Sequence, residues 1–333
     1  LTLQWKVFSP ADWTARGAAS LQADAARWTE VRAREVTILR TEVLYREAQR
    51  AAAQLAAARK SEQAAAANRA VFARRVEEGV LTRADLLQAE AELSSSVAGR
   101  VEAERREEQA RRDLGVYLGR SERMLPVLAD TLLLEPPRGT PDTGAAPYDP
   151  RLRADLRALS RARDAAGADS KRAGRTYLPE IAVFGAYGVH AAEAFQRDGD
   201  NWTVGVGLKW NLFSGFGRSN DRKRAAAART MAETRYDQAL REARAELDAA
   251  LSAVASADRA VEATVAAEQA ATAGAELMRR RFEEGLATAS EVLQSEYRRA
   301  DAKSMAIDAQ AGRHMAEARL RFVTTLHTEE NDR

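Results

Sequence analysis

The chain reads as a mainly α-helical fold with a few β-strands, built from long antiparallel helical hairpins and assembled by internal duplication. Three observations predict this. Arg74 to Glu90 (RRVEEGVLTRADLLQAE) and Arg280 to Glu296 (RRFEEGLATASEVLQSE) agree at nine of seventeen positions with an offset of 206. Leu3 to Pro10 (LQWKVFSP) resembles Leu208 to Gly215 (LKWNLFSG) at an offset of 205. That period is far longer than the repeat of a solenoid, so a whole structural half is duplicated. Finally, no proline lies between Pro10 and Pro126 or after Pro179, and these runs are rich in Ala, Glu, Arg and Gln. Such residues lose little on entering a helix, whereas proline there costs about 3 kcal/mol.

Leu1 to Phe8 alternates, with Leu1, Leu3, Trp5 and Val7 on one face and Thr2, Gln4 and Lys6 on the other, which is strand periodicity. From about Asp12 the period changes. Val36, Leu39 and Val43, then Leu44, Ala48, Ala51, Leu55 and Ala58, recur at threes and fours, a helical stripe or coiled-coil seam. One helix over 11–78 would reach roughly 100 Å at 1.5 Å per residue. Gly79 breaks it, because glycine tolerates the left-handed backbone that closes a helix. Thr82, three residues before Asp85, is an N-cap candidate for the next helix, expected from Arg83 to Leu118. The short turn makes the two helices antiparallel.

Residues 119–150 hold most of the prolines together with Gly139 and Gly144, and read as an irregular connector. Asp149-Pro150 is expected to start a helix from Arg151 to about Arg175, with proline in the favoured first position. A strand follows at Ile181 to Val189, then a polar loop from His190 to Asn201. The next strand runs from Trp202 to Leu212, with Val204, Val206, Leu208, Trp210 and Leu212 on one face. A second hairpin completes the chain: a helix from about Arg218 with a stripe at Leu240, Ala243, Leu247, Leu251 and Val254, a turn at Gly285, and a return helix to about Leu326. The second half carries a strand before its Trp-Phe-Ser segment and the first half does not, so N-terminal sequence is expected to be missing and the chain to be a fragment.

Composition excludes several classes. Basic and acidic residues nearly balance, 51 against 49, and the arginines interleave with Glu and Asp as on a solvated helix face, so nucleic acid is not an expected partner. There is no cysteine, and His190, His314 and His327 are scattered without ligand spacing. With no phosphate loop or nucleophile elbow, neither an enzyme nor a metal site nor a cofactor is expected. No apolar run approaches the roughly 18 residues of a membrane-spanning helix, so a membrane role would have to use strands. Ten alternating residues suit a tilted membrane strand, and a closed barrel shared between several chains would remove the unpaired edges.

These features together resemble the TolC family of outer-membrane efflux proteins over nearly the whole chain. The resemblance rests on Tyr177-Leu178-Pro179 entering a strand, the strand ends at Trp5 and Trp210, the Arg-[Val/Phe]-Glu-Glu-Gly turns, and Val292-Leu293 after the second turn. It implies a homotrimer in which each chain gives four strands to one transmembrane β-barrel and its long hairpins to a periplasmic α-barrel. The implied organisation is a barrel strand over 1–10, a helical hairpin over 11–118 with its tip at 78–82, an equatorial connector over 119–150, a helix over 151–176, a β-hairpin over 177–215, a second helical hairpin over 216–327 with its tip at 284–288, and a tail over 328–333. The implied partners are outer-membrane lipid, a periplasmic adaptor and, through it, an inner-membrane pump.

By position, the adaptor-binding tips fall on Gly79, Val80, Leu81 and Thr82 and on Gly285, Leu286, Ala287 and Thr288. The candidate pore gate falls on Phe282, Glu291 and Gln294; Gln294 is neutral where the family often has an acid, and Phe282 replaces a frequent Tyr. Trp5, Trp202 and Trp210 are expected at the membrane interface, against the plainer reading of core aromatics. The plainer readings of the glycines and of Glu291 are helix stops and a solvated helix-start acid. The Arg74-Arg75 and Arg280-Arg281 pairs are expected to make surface ion pairs. The function expected is a passive outer-membrane exit duct of a tripartite efflux or type I secretion system. The alternative is a soluble coiled-coil scaffold, which would have no reason to keep long alternating strands.

Overall fold

A computed structural model describes residues 2–120, 125–132, 148–189 and 200–325. The described elements are β1 (Thr2–Phe8), α1 (Pro10–Glu77), α2 (Arg83–Tyr117), a 3₁₀ turn (Pro150–Leu152), α3 (Ala154–Arg175), β2 (Glu180–Val189), β3 (Asp200–Lys209), α4 (Gly217–Glu283) and α5 (Ala289–Thr324). Mainly helical with a few strands, this is the fold class that the proline-free runs predict. The described residues group into two compact units, one made of the chain up to Ala33 with Asp149–Arg244, the other of Arg34–Tyr148 with Ala245–Thr325.

The first unit carries an antiparallel sheet in the order β1-β2-β3. Its register sorts the side chains by chemistry. Leu3, Gly185 and Val204 stand side by side, as do Trp5, Val183 and Val206, so the aliphatic and aromatic residues share one face. Thr2, Ala186 and Thr203, then Gln4, Phe184 and Gly205, occupy the other. The apolar face is open: Trp5 is 70% and Val206 72% exposed. Phe184 is the exception on the polar face, and its ring lies over Gly205 and Gly207; a Cβ built on Gly205 would stand 2.7 Å from the ring.

Two expected boundaries are corrected. The helix expected from Arg151 begins at Ala154, because Pro150–Leu152 forms a separate 3₁₀ turn capped by Asp149, and Arg153 then takes an extended backbone. The third strand spans 200–209 rather than 202–212, so Asp200 and Asn201, expected in the polar loop, belong to it. Its last pair is Lys209 with Glu180, and β2 offers no partner beyond that residue. Trp210 instead donates its indole N–H to the Tyr177 carbonyl at 3.1 Å, and Arg218 stacks 4.7 Å over the Tyr177 ring. The rest of the expected loop, 190–199, the tail at 328–333 and much of the connector lie outside the described residues.

In the second unit the seams follow heptads in part. Val254, Val261, Ala275 and Phe282 on α4 are buried and spaced in multiples of seven, as coiled-coil packing requires. On α1, Ala48 and Leu55 are buried, while Val36 of the expected stripe is exposed, as is Leu251 on α4. Ala250 and Val254 pack on Leu320 and Val323 of α5. Ion pairs also tie α1 to α2, with Arg100–Glu62 at 2.6 Å and Arg69–Glu90 at 3.1 Å. Among the described residues no helix is long and apolar enough to cross a membrane.

Candidate functional site

The two α-helical turns have the same construction. At the first, Gly79 takes φ +75°, its N–H bonds the Val76 carbonyl at 3.0 Å, and Val80 N–H reaches back to Arg75 at 2.8 Å. At the second, Gly285 takes φ +79°, its N–H bonds Phe282 at 3.1 Å, and Leu286 N–H reaches Arg281 at 2.7 Å. This closure satisfies carbonyls that a helix end leaves open and requires the left-handed glycine. Both glycines are therefore helix stops in geometry, whatever else they do.

Each return helix then opens with a capping box. Thr82 N–H and its hydroxyl donate to Asp85 Oδ2 at 2.9 and 2.7 Å, and Asp85 N–H donates back to the Thr82 hydroxyl. Thr288 and Glu291 repeat the arrangement at 2.8, 2.9 and 3.2 Å. The Thr82 hydroxyl and then its amide hold Asp85 below the usual carboxylate range; for Glu291 the Thr288 amide leads and the hydroxyl follows. Both acids stay ionised, as suits the positive end of a helix dipole.

Between the turns lies a cluster of Phe72, Leu86, Ala89, Phe282, Ala289 and Val292. The Phe72 and Phe282 ring centroids are 5.2 Å apart. Arg75 covers it, 4.3 Å over the Phe282 ring, and donates to the Phe282 and Glu283 carbonyls at 2.8 and 3.2 Å. One side chain from α1 thus caps the end of α4. The expectation of a surface ion pair at Arg75 is corrected, since its partners are backbone carbonyls and a ring. No local pattern signals this contact, because the acceptor is backbone 207 residues away.

The sequence-derived tip residues therefore come together around one packed cluster. Val80 and Leu286, each 64% exposed, crown the two turns. Gly79, Thr82, Gly285 and Thr288 are also exposed, and Leu81 and Ala287 are half-buried against the cluster. Of the gate candidates, Phe282 is only 4% exposed and packs inside the cluster, whereas Glu291 and Gln294 are exposed on α5. Trp5, Trp202 and Trp210 are 70%, 73% and 56% exposed, so none is a core aromatic of this chain. His314 lies beside Glu317 at 3.5 Å; His190 and His327 lie outside the described residues.

The family profile described as outer membrane efflux protein matches residues 151–325. No curated protein sequence matches the chain significantly. Among solved structures, the chain is similar to a membrane protein from Pseudomonas aeruginosa, with a TM-score of 0.86 and 21% identity, covering 97% of this chain and 76% of that one. It is similar to the outer membrane protein VceC of Vibrio cholerae at a TM-score of 0.84 and 19% identity, covering 98% and 79%. The open state of the MtrE outer membrane channel of Neisseria gonorrhoeae gives 0.79 and 22%, covering 93% and 71%. At these identities the likeness is one of fold. The profile spans more than half of the chain, from the turn before α3 through β2, β3 and the second tip to the end of α5, and the chain belongs to the outer membrane efflux protein family.

Proposed function

We propose that the chain is one subunit of a homotrimeric exit duct, its strands sharing a closed barrel in the outer membrane and its hairpins forming a periplasmic α-barrel that docks on an adaptor. The observation that carries this is the duplicated tip: two glycine turns of one construction, each crowned by an exposed apolar residue, Val80 and Leu286. Exposed aliphatic side chains on rigidly capped turns are suited to a hydrophobic partner and otherwise cost solubility. Gly79, Leu81 and Thr82 and, in the second repeat, Gly285, Ala287 and Thr288 complete the docking surface. The adaptor links the duct to an inner-membrane pump, which supplies the energy.

The strands support the membrane end. Trp202 and Trp210 bracket Val204, Val206 and Leu208, and eight residues of extended chain span about 27 Å, close to the roughly 25 Å apolar band of an outer-membrane barrel. Trp5 lies on the same face, level with Val206 within that apolar band. The gate falls on Glu291 and Gln294, exposed on α5, with Phe282 holding the helix that carries them through the tip cluster. The adaptor opens the duct by binding the splayed hairpins better than the closed ones, a shift of population. Protein secretion through the same duct is the second use that this architecture allows.

The test is efflux in cells carrying Val80→Glu or Leu286→Glu. Loss of efflux with normal amounts of assembled protein in the outer membrane supports the docking role. Normal efflux from both variants overturns the tip assignment.

A further inference from the structure

The sheet sends its aliphatic residues to one face and its small or polar residues to the other, and Phe184 breaks that rule. In register, the second face carries Gln4 with Phe184 and Gly205, and on either side of that row Thr2 with Ala186 and Thr203, and Lys6 with Ala182 and Gly207. Among the described residues of the sheet, Phe184 is the only aromatic on that face. Its nearest neighbours there are Ala182 and Ala186 along β2, Gly205 opposite on β3 and Gln4 on β1.

The ring has a fixed place. A Cβ on Gly205 would stand 2.7, 3.1 and 3.3 Å from the ring atoms Cζ, Cε1 and Cε2, and such similar distances turn a face of the ring to the strand rather than its edge. Gly205 is thus needed for the pose, and an aromatic laid over a strand glycine steadies the sheet. Gly207 is not needed for it, since a Cβ there would meet the ring at 3.8 Å, an ordinary contact. The glycine instead leaves β3 without a wall beside the ring. Phe184 remains 39% exposed, and with one ring face on Gly205 that exposure belongs to the opposite face and the rim.

This inference rests on the duct proposed above, in which the face of Trp5 and Val206 meets lipid and the face of Phe184 lines the lumen. Each copy then brings one ring to the same level of the passage. A lumen that passes only water and small ions is served by polar side chains, and an open phenyl face adds nothing to it. We infer that Phe184 forms a lumenal subsite for planar aromatic cations, which stack on its open face in transit. Stacking and the negative face of the ring both favour such solutes. Lys6, one row away, does not repel them, because Asp12 and Glu180 offset its charge at 2.9 and 3.8 Å. A single stack is weak, which suits a duct, where a bound solute must also leave.

The test records single channels of the full-length protein in planar lipid bilayers. Current block by proflavine, a planar aromatic cation, is compared with block by tetraethylammonium, which has the same charge and no ring. Wild-type channels are expected to be blocked more strongly by proflavine. Phe184→Leu, which keeps an apolar side chain over Gly205, should weaken the proflavine block about two- to tenfold, the range of one aromatic stack, and leave conductance and tetraethylammonium block unchanged. Phe184→Trp should restore or strengthen the proflavine block. Equal block of wild-type channels by the two cations overturns the inference and leaves the duct standing, and this comparison decides even where a variant does not assemble. Unchanged proflavine block in conducting Phe184→Leu channels overturns it equally. Wild-type protein that inserts and conducts no current overturns the duct, and the subsite falls with it.

Discussion

At the scale of single residues, the tips depend on side chains that satisfy helix ends. Replacing Thr82 or Thr288 with Ala removes a cap of a kind worth about 1 kcal/mol. Faster hydrogen exchange confined to the turn and first helical residues of α2 or α5 is the expected readout. The same boxes set a pH dependence. Asp85 and Glu291 have folded-state values held below their ordinary ones by Thr82 and Thr288, so their stabilisation is fully present above the unfolded value and is lost as pH falls through the depressed one. Tip protection, corrected for intrinsic exchange, should therefore hold at neutral pH and weaken below about pH 4, near the ordinary carboxylate range. The Thr82 box was legible in the sequence because a cap and its acid lie three residues apart. Arg75 was not, since a guanidinium bound to distant backbone leaves no pattern in local sequence.

Among the elements, the tip cluster and the sheet carry separate predictions. Phe282→Ala removes a ring packed on Phe72 and beneath Arg75 and should cost about 3 to 5 kcal/mol, the range for such truncations. Thermal unfolding of the assembled protein in detergent reads it, and a loss well under 1 kcal/mol would mean that the cluster does not hold the hairpins together. In the sheet, Gly205→Val drives a side chain into the Phe184 ring, an overpacking expected to cost about 1 to 3 kcal/mol. Adding Phe184→Ala should recover part of that loss, so the double variant is more stable than the sum of the singles. Strand and helix identities were legible from period and from proline placement. Their ends were not: β3 stops where β2 runs out of partners, a matter of tertiary context, and α3 starts late because Arg153 follows a locally capped 3₁₀ turn in extended conformation.

For the whole molecule, the decisive fact is that the described sheet cannot satisfy its own edges. With β2 in the middle, β1 and β3 each present an unpaired edge, and the sheet opens a face of Leu3, Trp5, Val204 and Val206 to its surroundings. In water this invites aggregation; in an outer membrane the face meets lipid, and edges pair only if copies join into a closed barrel. The duplication, plain in the sequence, implies that two tips per chain take equivalent places, but a repeat period does not say which face meets which. Within the chain the structure shows it, with Arg75 seated on the carbonyls of Phe282 and Glu283. The complete gene product, extracted from outer membranes in mild detergent, is therefore expected to have the native mass of three chains. Its mass should stay that of three chains in Val80→Glu and Leu286→Glu, whose exposed side chains face away from the cluster. A single chain in the detergent extract would break the link between open edges and shared barrel, and with it the duct.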